Sequence, residues 1–211
     1  MKIAIVLFEG FTALDAVGPY QMLSHTPGYE TCFVAERTGP VADDAGTLAL
    51  VAAKTLAEVP APDILVVPGG PGQERQMENG TLLGWLRAAD TATTWTTSVC
   101  TGSLLLAAAG LLRGRRATSH WLAMEALRTY GVEPTGERVV TDGKYMTAAG
   151  VSAGIDMGLT LAGLLAGDRF AQSVQLLTEY DPQPPYDAGS PDKAPADLVA
   201  EMRDGSRFIL Q

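Results

Sequence analysis

Short apolar segments alternate along the chain with longer segments whose apolar positions recur at a helical period. The clearest apolar or β-branched runs are Lys2–Phe8, Thr31–Glu36, Ile64–Val67 and Thr94–Val99. Runs without a polar face are typical of strands that helices cover on both sides. We therefore predict an α/β protein with a mostly parallel sheet between two layers of helices.

The segments between these runs predict helices, and two turns predict hairpins. Pro19 fits only the first turn of a helix, so the first regular helix is expected to begin near Asp15 to Gly18. Asp142-Gly143 is a strong hairpin signal, and another hairpin is expected after Gly39-Pro40. The predicted helices are Phe11–His25, Thr81–Asp90, Ser103–Leu112, Trp121–Tyr130, Val151–Ala166 and Arg169–Tyr180. The remaining predicted strands are Gly46–Val51, Arg116–Ser119, Glu137–Thr141 and Lys144–Ala148.

The composition changes near the C-terminus. Residues 181–193 contain four prolines and are expected to form an ordered, extended strap, followed by a terminal helix at 194–203. The residues after the strap are too few to form a domain of their own. We therefore expect residues 1–211 to form a single domain.

Composition and charge exclude several classes of protein. Hydrophobic residues make up 46% of the 211 positions, and the formal net charge is −9, so a large core is expected and nucleic acid is not expected as a partner. No apolar run reaches the roughly 20 residues that a membrane span needs, and the first residues are too short an apolar run for a signal peptide. The chain has two cysteines, which do not make a disulfide framework. We therefore expect a cytoplasmic protein without a membrane partner.

Cys100 carries the strongest chemical signal, because it lies where a β-branched strand meets an apolar helix. This arrangement resembles a nucleophile elbow, in which a sharp turn exposes the nucleophile beside a helix N-terminus. The partial positive charge there favours the reactive thiolate, and so sharp a turn predicts a strained backbone at Cys100. The alternative is a buried structural cysteine, which is our interpretation of Cys32 in the second strand. No cluster of His, Cys and carboxylate residues has metal-ligand spacing, so no metal is expected.

Several motifs together resemble the DJ-1/PfpI superfamily, and in particular its isocyanide (isonitrile) hydratase branch. The similarity spans nearly the whole chain. Regulators with a fused helix-turn-helix domain share several of the motifs, and this chain is expected to be too short to hold that domain. The motifs are Val-Cys-Thr-Gly-Ser at 99–103, Leu-Asp-Ala-Val-Gly-Pro at 14–19, Pro-Gly-Gly-Pro-Gly at 68–72, Arg-Ala-Thr-Ser-His-Trp at 116–121, Ala-Ala-Gly-Val-Ser-Ala-Gly-Ile-Asp at 148–156 and the strap.

The resemblance implies a flavodoxin-like, glutaminase-like sandwich, commonly a homodimer, and assigns roles at its site. Cys100 would be the nucleophile and Asp15 the catalytic acid, although Asp15 also suits a helix cap. The N–H groups of Gly70 and Thr101 would form the oxyanion hole, and the Thr101 hydroxyl would either contact the substrate or cap its helix. The substrate pocket would include His120, Trp121 and Gly150, although His120 is equally well explained as a structural histidine.

The function that these residues favour is the hydration of an isocyanide to an N-substituted formamide, without a cofactor. Glyoxalase, deglycase or amidase chemistry remains an alternative, although amidase-like members place His directly after the nucleophile, where this chain has Thr101. Two non-enzymatic alternatives are a sensor in which Cys100 is oxidised and a ligand-binding regulator.

Overall fold

The computed structural model of the chain describes residues 1–206, in which a central sheet lies between helices. The sheet order is β10-β11-β7-β6-β1-β2-β5, and every neighbouring pair is parallel except β10 and β11. The predicted parallel α/β sandwich is therefore confirmed. The strands are β1 Lys2–Val6, β2 Glu30–Ala35, β3 Gly39–Ala42, β4 Ala49–Ala52, β5 Lys54–Thr55, β6 Ile64–Val67, β7 Trp95–Val99, β8 Arg116–Ala117, β9 Glu133–Pro134, β10 Val139–Asp142 and β11 Tyr145–Ala148.

The helices cover both faces of this sheet and bury its apolar strands. All four residues of β6 are completely buried, as expected for a strand between two helical layers. Short 3₁₀ helices lie at Leu56–Glu58 and Trp121–Ala123. The α-helices are α1 Ala13–Leu23, α2 Gln73–Gln76, α3 Gly80–Asp90, α4 Gly102–Ala108, α5 Met124–Thr129, α6 Ala153–Ala166, α7 Asp168–Leu177 and α8 Ala196–Asp204. None of the helices in the described part of the chain is long and apolar enough to cross a membrane.

Helix α1 differs from the prediction at Pro19, which lies in its interior rather than in its first turn. Proline removes the N–H that would otherwise donate to the carbonyl of Asp15, so this position has to be stabilised by packing. The Pro19 ring contacts the backbone of α6 at Gly154, and Met22 contacts it at Gly158. A Cβ atom at either glycine would lie within 3.2 Å of these α1 side chains, so glycine allows the close helix pair.

Both predicted hairpins are present, with shifted boundaries. β3 and β4 pair as a separate antiparallel hairpin. In the second hairpin Asp142 pairs with Tyr145, so the turn residues are Gly143 and Lys144, one position later than predicted. Gly143 has φ +62°, which explains its place at the first turn position. The expected strand Arg116–Ser119 is reduced to β8, which pairs with β9 outside the main sheet.

The C-terminal region lies on the surface. The strap at 181–193 contains no helix or strand, and its residues 181–189 are all exposed. Helix α8 begins at Ala196 rather than 194, and it has no buried residue. The strap leaves the sandwich after α7, so the main core is built by the preceding elements.

Candidate active site

The carboxyl ends of the parallel strands β1, β6 and β7 lie side by side, and the segments that follow them meet. The N–H of Gly69 donates to Oδ2 of Asp15 at 2.9 Å, and the N–H of Gly70 donates to Oγ1 of Thr101 at 3.0 Å. Asp15 follows β1, the two glycines follow β6, and Thr101 follows β7. Ligand sites of open α/β sheets form at this edge of the strands.

Cys100 occupies a sharp turn that several hydrogen bonds hold in place. Its φ is +56°, so the predicted backbone strain is confirmed. Its N–H lies 3.1 Å from the carbonyl oxygen of Ala148 and 2.9 Å from that of Ala149, while Ser103 and Ser119 each donate a 3.1 Å hydroxyl hydrogen bond to its carbonyl oxygen. The neighbouring elements therefore fix the elbow from both sides.

Gly102 allows the helix after Cys100 to start directly beside the neighbouring strand. A Cβ atom at this position would lie 2.1 Å from the carbonyl oxygen of Val67 and 2.8 Å from that of Pro68. These are backbone atoms, which cannot move aside as a flexible side chain can. Glycine is therefore required for the approach of α4 to β6.

Asp15 is completely buried and does not cap its helix, because Thr12 occupies the N-cap position and Asp15 is the third residue of α1. Oδ2 accepts the Gly69 hydrogen bond, whereas Oδ1 is buried and makes no hydrogen bond of normal geometry within residues 1–206. The carboxyl group lies next to the Cys100 thiol. Burial raises its pKa from 3.8 to about 7, against the lowering effects of the Gly69 N–H and of Cys100.

The prediction of an exposed thiolate at Cys100 is wrong. The residue is 5% exposed, and burial together with the charge of Asp15 raises the pKa of its thiol to about 12. The N–H groups of Val151 and Thr101 lower the pKa of this thiol but do not compensate for the desolvation. Before a substrate binds, the Cys100 thiol therefore keeps its proton near neutral pH, whereas the Asp15 carboxyl gains or loses its proton there.

Thr101 contacts the glycine turn through its hydroxyl and makes no side-chain hydrogen bond as the N-cap of α4. Because the Gly70 N–H donates to this hydroxyl, a developing oxyanion that uses Gly70 has to replace Thr101 Oγ1 as the acceptor. Gly70 and Thr101 are therefore in direct contact, but their role as an oxyanion hole stays a prediction.

The three expected pocket residues lie together beside the elbow. A Cβ atom at Gly150 would lie 3.0 Å from the His120 ring, and the His120 and Trp121 rings are 6.0 Å apart. Nδ1 of His120 accepts the N–H of Leu122 at 3.3 Å, which gives this histidine a structural contact. The Arg203 guanidinium lies 5.7 Å from the Trp121 ring, so α8 reaches this side of the site.

Three residues that hold Cys100 in place were not identified from the sequence. Ser103 and Ser119 fix the carbonyl of Cys100, and Val151 has φ +21°, which is unusual for a β-branched residue. Val151 lies in a motif whose resemblance was recognised, but nothing in the motif shows that its N–H reaches the thiol. Within residues 1–206, no group of three or more His, Cys, Asp or Glu side chains is placed to hold a metal ion.

Comparison with known proteins gives similarity over most of the chain. The sequence profile of the DJ-1/PfpI family matches residues 1–163. A protein named isonitrile hydratase from Pseudomonas putida is 44% identical over 96% of this chain and 89% of its own length. An HTH-type transcriptional regulator from Pseudomonas aeruginosa is 32% identical over 80% of this chain but 52% of the regulator. The crystal structure of a ThiJ/PfpI family protein from Pseudomonas syringae superposes with a TM-score of 0.93 at 40% identity, covering 96% of this chain and 84% of that one.

Proposed function

Since the chain belongs to the DJ-1/PfpI family, we propose that it is a cofactor-independent hydro-lyase that converts an isocyanide and water into an N-substituted formamide. The observation that carries this proposal is the buried pair of the Asp15 carboxyl and the Cys100 thiol at the elbow. The 44% sequence identity with the isonitrile hydratase of Pseudomonas putida supports the same substrate class.

The first step is the addition of Cys100 to the terminal carbon of the isocyanide. A carbon–sulfur bond forms, the thiol proton passes to ionised Asp15, and Asp15 delivers it to the same carbon. The product is a thioimidate in which the carbon carries one hydrogen, sulfur and a doubly bonded nitrogen. Asp15 suits this transfer because its pKa of about 7 lets it accept and release a proton near neutral pH.

Water then adds to the thioimidate carbon. Asp15 accepts a proton from the water, the oxygen bonds to the carbon, and the nitrogen receives a proton. The carbon–sulfur bond breaks as the carbonyl forms, and the thiol recovers its proton. One isocyanide and one water molecule give one formamide, so no oxidant, reductant or cofactor is consumed. The Gly70 and Thr101 N–H groups would stabilise negative charge while the oxygen adds.

Incubation of the purified protein with cyclohexyl isocyanide tests the proposal. We expect N-cyclohexylformamide from the wild type and none above the uncatalysed rate from Cys100→Ala. A covalent adduct on Cys100 with the added mass of the isocyanide should appear when the reaction is quenched. If several unhindered isocyanides give no formamide, the proposal is wrong, and the glyoxalase, deglycase and amidase activities are tested next.

The burial of Cys100 argues against the alternative of a redox sensor. Sulfur oxidation is fastest at an exposed thiolate, whereas this thiol is 5% exposed and its pKa is raised. A peroxide titration monitored by the mass of Cys100 separates the two functions. We expect slow oxidation under conditions in which formamide production is fast.

Both cysteines are free thiols, which agrees with the reducing cytoplasm where we place the enzyme.

We also propose that the enzyme is a homodimer that uses the surface of α6, α7 and the strap. These elements carry large apolar side chains that are 57–81% exposed and that a partner subunit would cover, namely Leu164, Leu176, Leu177 and Tyr186. Light scattering during size-exclusion chromatography should give twice the chain mass of 22.2 kDa. The double variant Leu176→Asp/Leu177→Asp should be monomeric, whereas Val51→Asp, which alters an exposed apolar residue of the β3–β4 hairpin, should remain dimeric.

A further inference from the structure

A cavity of about 420 Å³ lies at the carboxyl ends of β1 and β2, away from the elbow. Its volume is within the range of small-molecule sites. The strand ends, the β3–β4 hairpin, the 3₁₀ helix and the start of α3 supply its apolar lining. These apolar residues include Leu7, Phe8, Ala35, Val41, Leu56 and Leu82.

The polar lining of this cavity contains more carboxylates than cations. Glu9 and Glu36 line it together with a single cation among the described lining residues, Arg37. Asn79 holds Glu36 by donating to its Oε1, while the Asn79 side-chain oxygen caps α3 by accepting the N–H of Leu82 at 3.2 Å. Glu36 is thereby fixed at the cavity rather than left free to rotate.

Glu9 is also held by the backbone around it. Its Oε2 accepts the N–H of Ala42 at 3.3 Å, and the N–H of Gly10 donates to the carbonyl oxygen of Ala42 at 3.0 Å. These two bonds fasten the segment after β1 to the hairpin that forms the opposite wall. The carboxylates of Glu9 and Glu36 therefore follow separate strands, β1 and β2, but line one cavity.

This cavity is separate from the site of Cys100. Neither Asp15 nor Cys100 lines it. The segment Glu9-Gly10 joins the two regions, because Glu9 lines the cavity while the carbonyl oxygen of Gly10 accepts the N–H of Gly72 in the glycine turn at 2.9 Å. A ligand in the cavity would therefore contact the opposite side of that segment and leave the elbow accessible.

We propose that this cavity is a second binding site, for a small amine with an apolar body. The hydrocarbon part lies on the apolar lining, and the ammonium group donates charge-assisted hydrogen bonds to the Glu9 and Glu36 carboxylates. The excess of carboxylates over cations in the lining disfavours an anionic ligand. The net charge of −9 adds a long-range attraction for cations.

Binding of 2-phenylethylamine, measured by isothermal titration calorimetry at low ionic strength, tests this site. We expect Glu9→Gln/Glu36→Gln to weaken binding about 10-fold or more, since it removes both carboxylates that would accept charge-assisted hydrogen bonds from the ammonium group. Glu78→Gln is the matched control. It removes the same charge from an exposed residue next to Asn79 that does not line the cavity, and it should bind like the wild type.

Two further measurements test whether the cavity binds the amine independently of Cys100 and whether it prefers an amine to an anion. Cys100→Ala should bind 2-phenylethylamine with unchanged affinity, and phenylacetate should bind at least about 10-fold more weakly than the amine. Thermal unfolding of each variant shows that it is folded before binding is measured. The proposal is overturned if the amine does not bind at millimolar concentration, if the double variant binds normally, if Cys100→Ala abolishes binding, or if phenylacetate binds equally well.

Discussion

The carboxyl of Asp15 is buried against the thiol of Cys100, and the pKa of each group lies above its ordinary value. Desolvation is the main cause for both, and the negative charge of Asp15 adds to the effect on the thiol. The pair holds one proton between pH values of about 7 and about 12. In the proposed mechanism, this is the proton that Asp15 delivers to the isocyanide carbon.

Replacement of Cys100 should abolish hydration. We expect Cys100→Ala to reduce formamide production to the uncatalysed rate, because alanine removes the sulfur that forms the bond to the isocyanide carbon in the proposed mechanism. The control is Cys32→Ala, because Cys32 is buried in β2 and is not part of the elbow. Steady-state assays with cyclohexyl isocyanide should therefore show activity in the Cys32 variant alone.

Asp15 should be essential for its proton chemistry rather than for its shape. Asp15→Asn keeps the size of the side chain but removes the acid, and we expect kcat to fall by about 10²–10⁴-fold. Asp15→Glu keeps the acid but moves it by one methylene, and we expect a loss on the order of 100-fold. Wild-type rates in the Asn variant would show that Asp15 has a structural role only.

The rate of hydration should rise with pH up to neutrality. Below a pH of about 7, Asp15 is protonated and cannot accept the thiol proton. We expect kcat/KM to fall about tenfold per pH unit below this value and to be level above it. The profile does not depend on which of the two groups carries the single proton, because both microstates have the same proton count. A flat profile between pH 5 and 8 would contradict the assignment of Asp15.

The same titration predicts a pH dependence of stability. In the unfolded chain Asp15 loses its proton near 3.8, whereas in the folded protein it keeps the proton up to about 7. Between these values the folded state binds more protons, so its contribution to stability is present below a pH of about 4 and is lost as the pH rises to about 7. The predicted loss totals about 4 kcal/mol at roughly 1.4 kcal/mol per pH unit.

Urea unfolding of the wild type and Asp15→Asn at pH 5 and pH 8 measures this effect. The two proteins differ only at residue 15, so the change in their stability difference between pH 5 and pH 8 reports the Asp15 carboxyl. We expect Asp15→Asn to be more stable relative to the wild type at pH 8 than at pH 5. An equal difference at both pH values would mean that the carboxyl is not destabilised by burial.

The sheet was predictable because its strands are apolar without interruption, and Ile64–Val67 occupies the predicted residues. Pro19 shows where such reasoning fails. Its position in the interior of α1 depends on packing against Gly154 in α6, 135 positions later in the chain, which no local pattern reveals. The two-residue strand β5 was also missed, because its pairing with β2 stabilises a segment too short to carry a periodic signal.

The candidate active site was likewise predictable from the sequence only in part. The elbow was recognisable because a β-branched strand, Cys100 and a glycine adjoin in sequence. The state of the thiol was not, because its pKa depends on burial and on Asp15, which come from the tertiary structure. The contacts of Ser119 and Val151 with Cys100 likewise join positions that are far apart in the chain.

The last prediction concerns the glycine that follows the nucleophile by two positions. In Gly102→Ala the new methyl group would lie 2.1 Å from the carbonyl oxygen of Val67, so α4 or β6 has to move. We expect a loss of stability of about 1–3 kcal/mol from this overpacking, and a further loss of activity because the movement displaces Cys100. A displacement of about 1 Å at the reacting atoms can cost on the order of 100-fold in rate.

Gly84→Ala is the matched control, since a Cβ atom at this position in α3 would meet no atom within 4 Å. Alanine is a better helix former than glycine, so this variant should gain about 0.5–1 kcal/mol and keep full activity. Urea unfolding and kcat measured on both variants test the comparison. If Gly102→Ala is as stable and as active as Gly84→Ala, the close approach of α4 to β6 does not position the nucleophile. Opposite changes in stability, with activity lost only in Gly102→Ala, would show that the hydration rate depends on the close packing of α4 against β6 at the elbow.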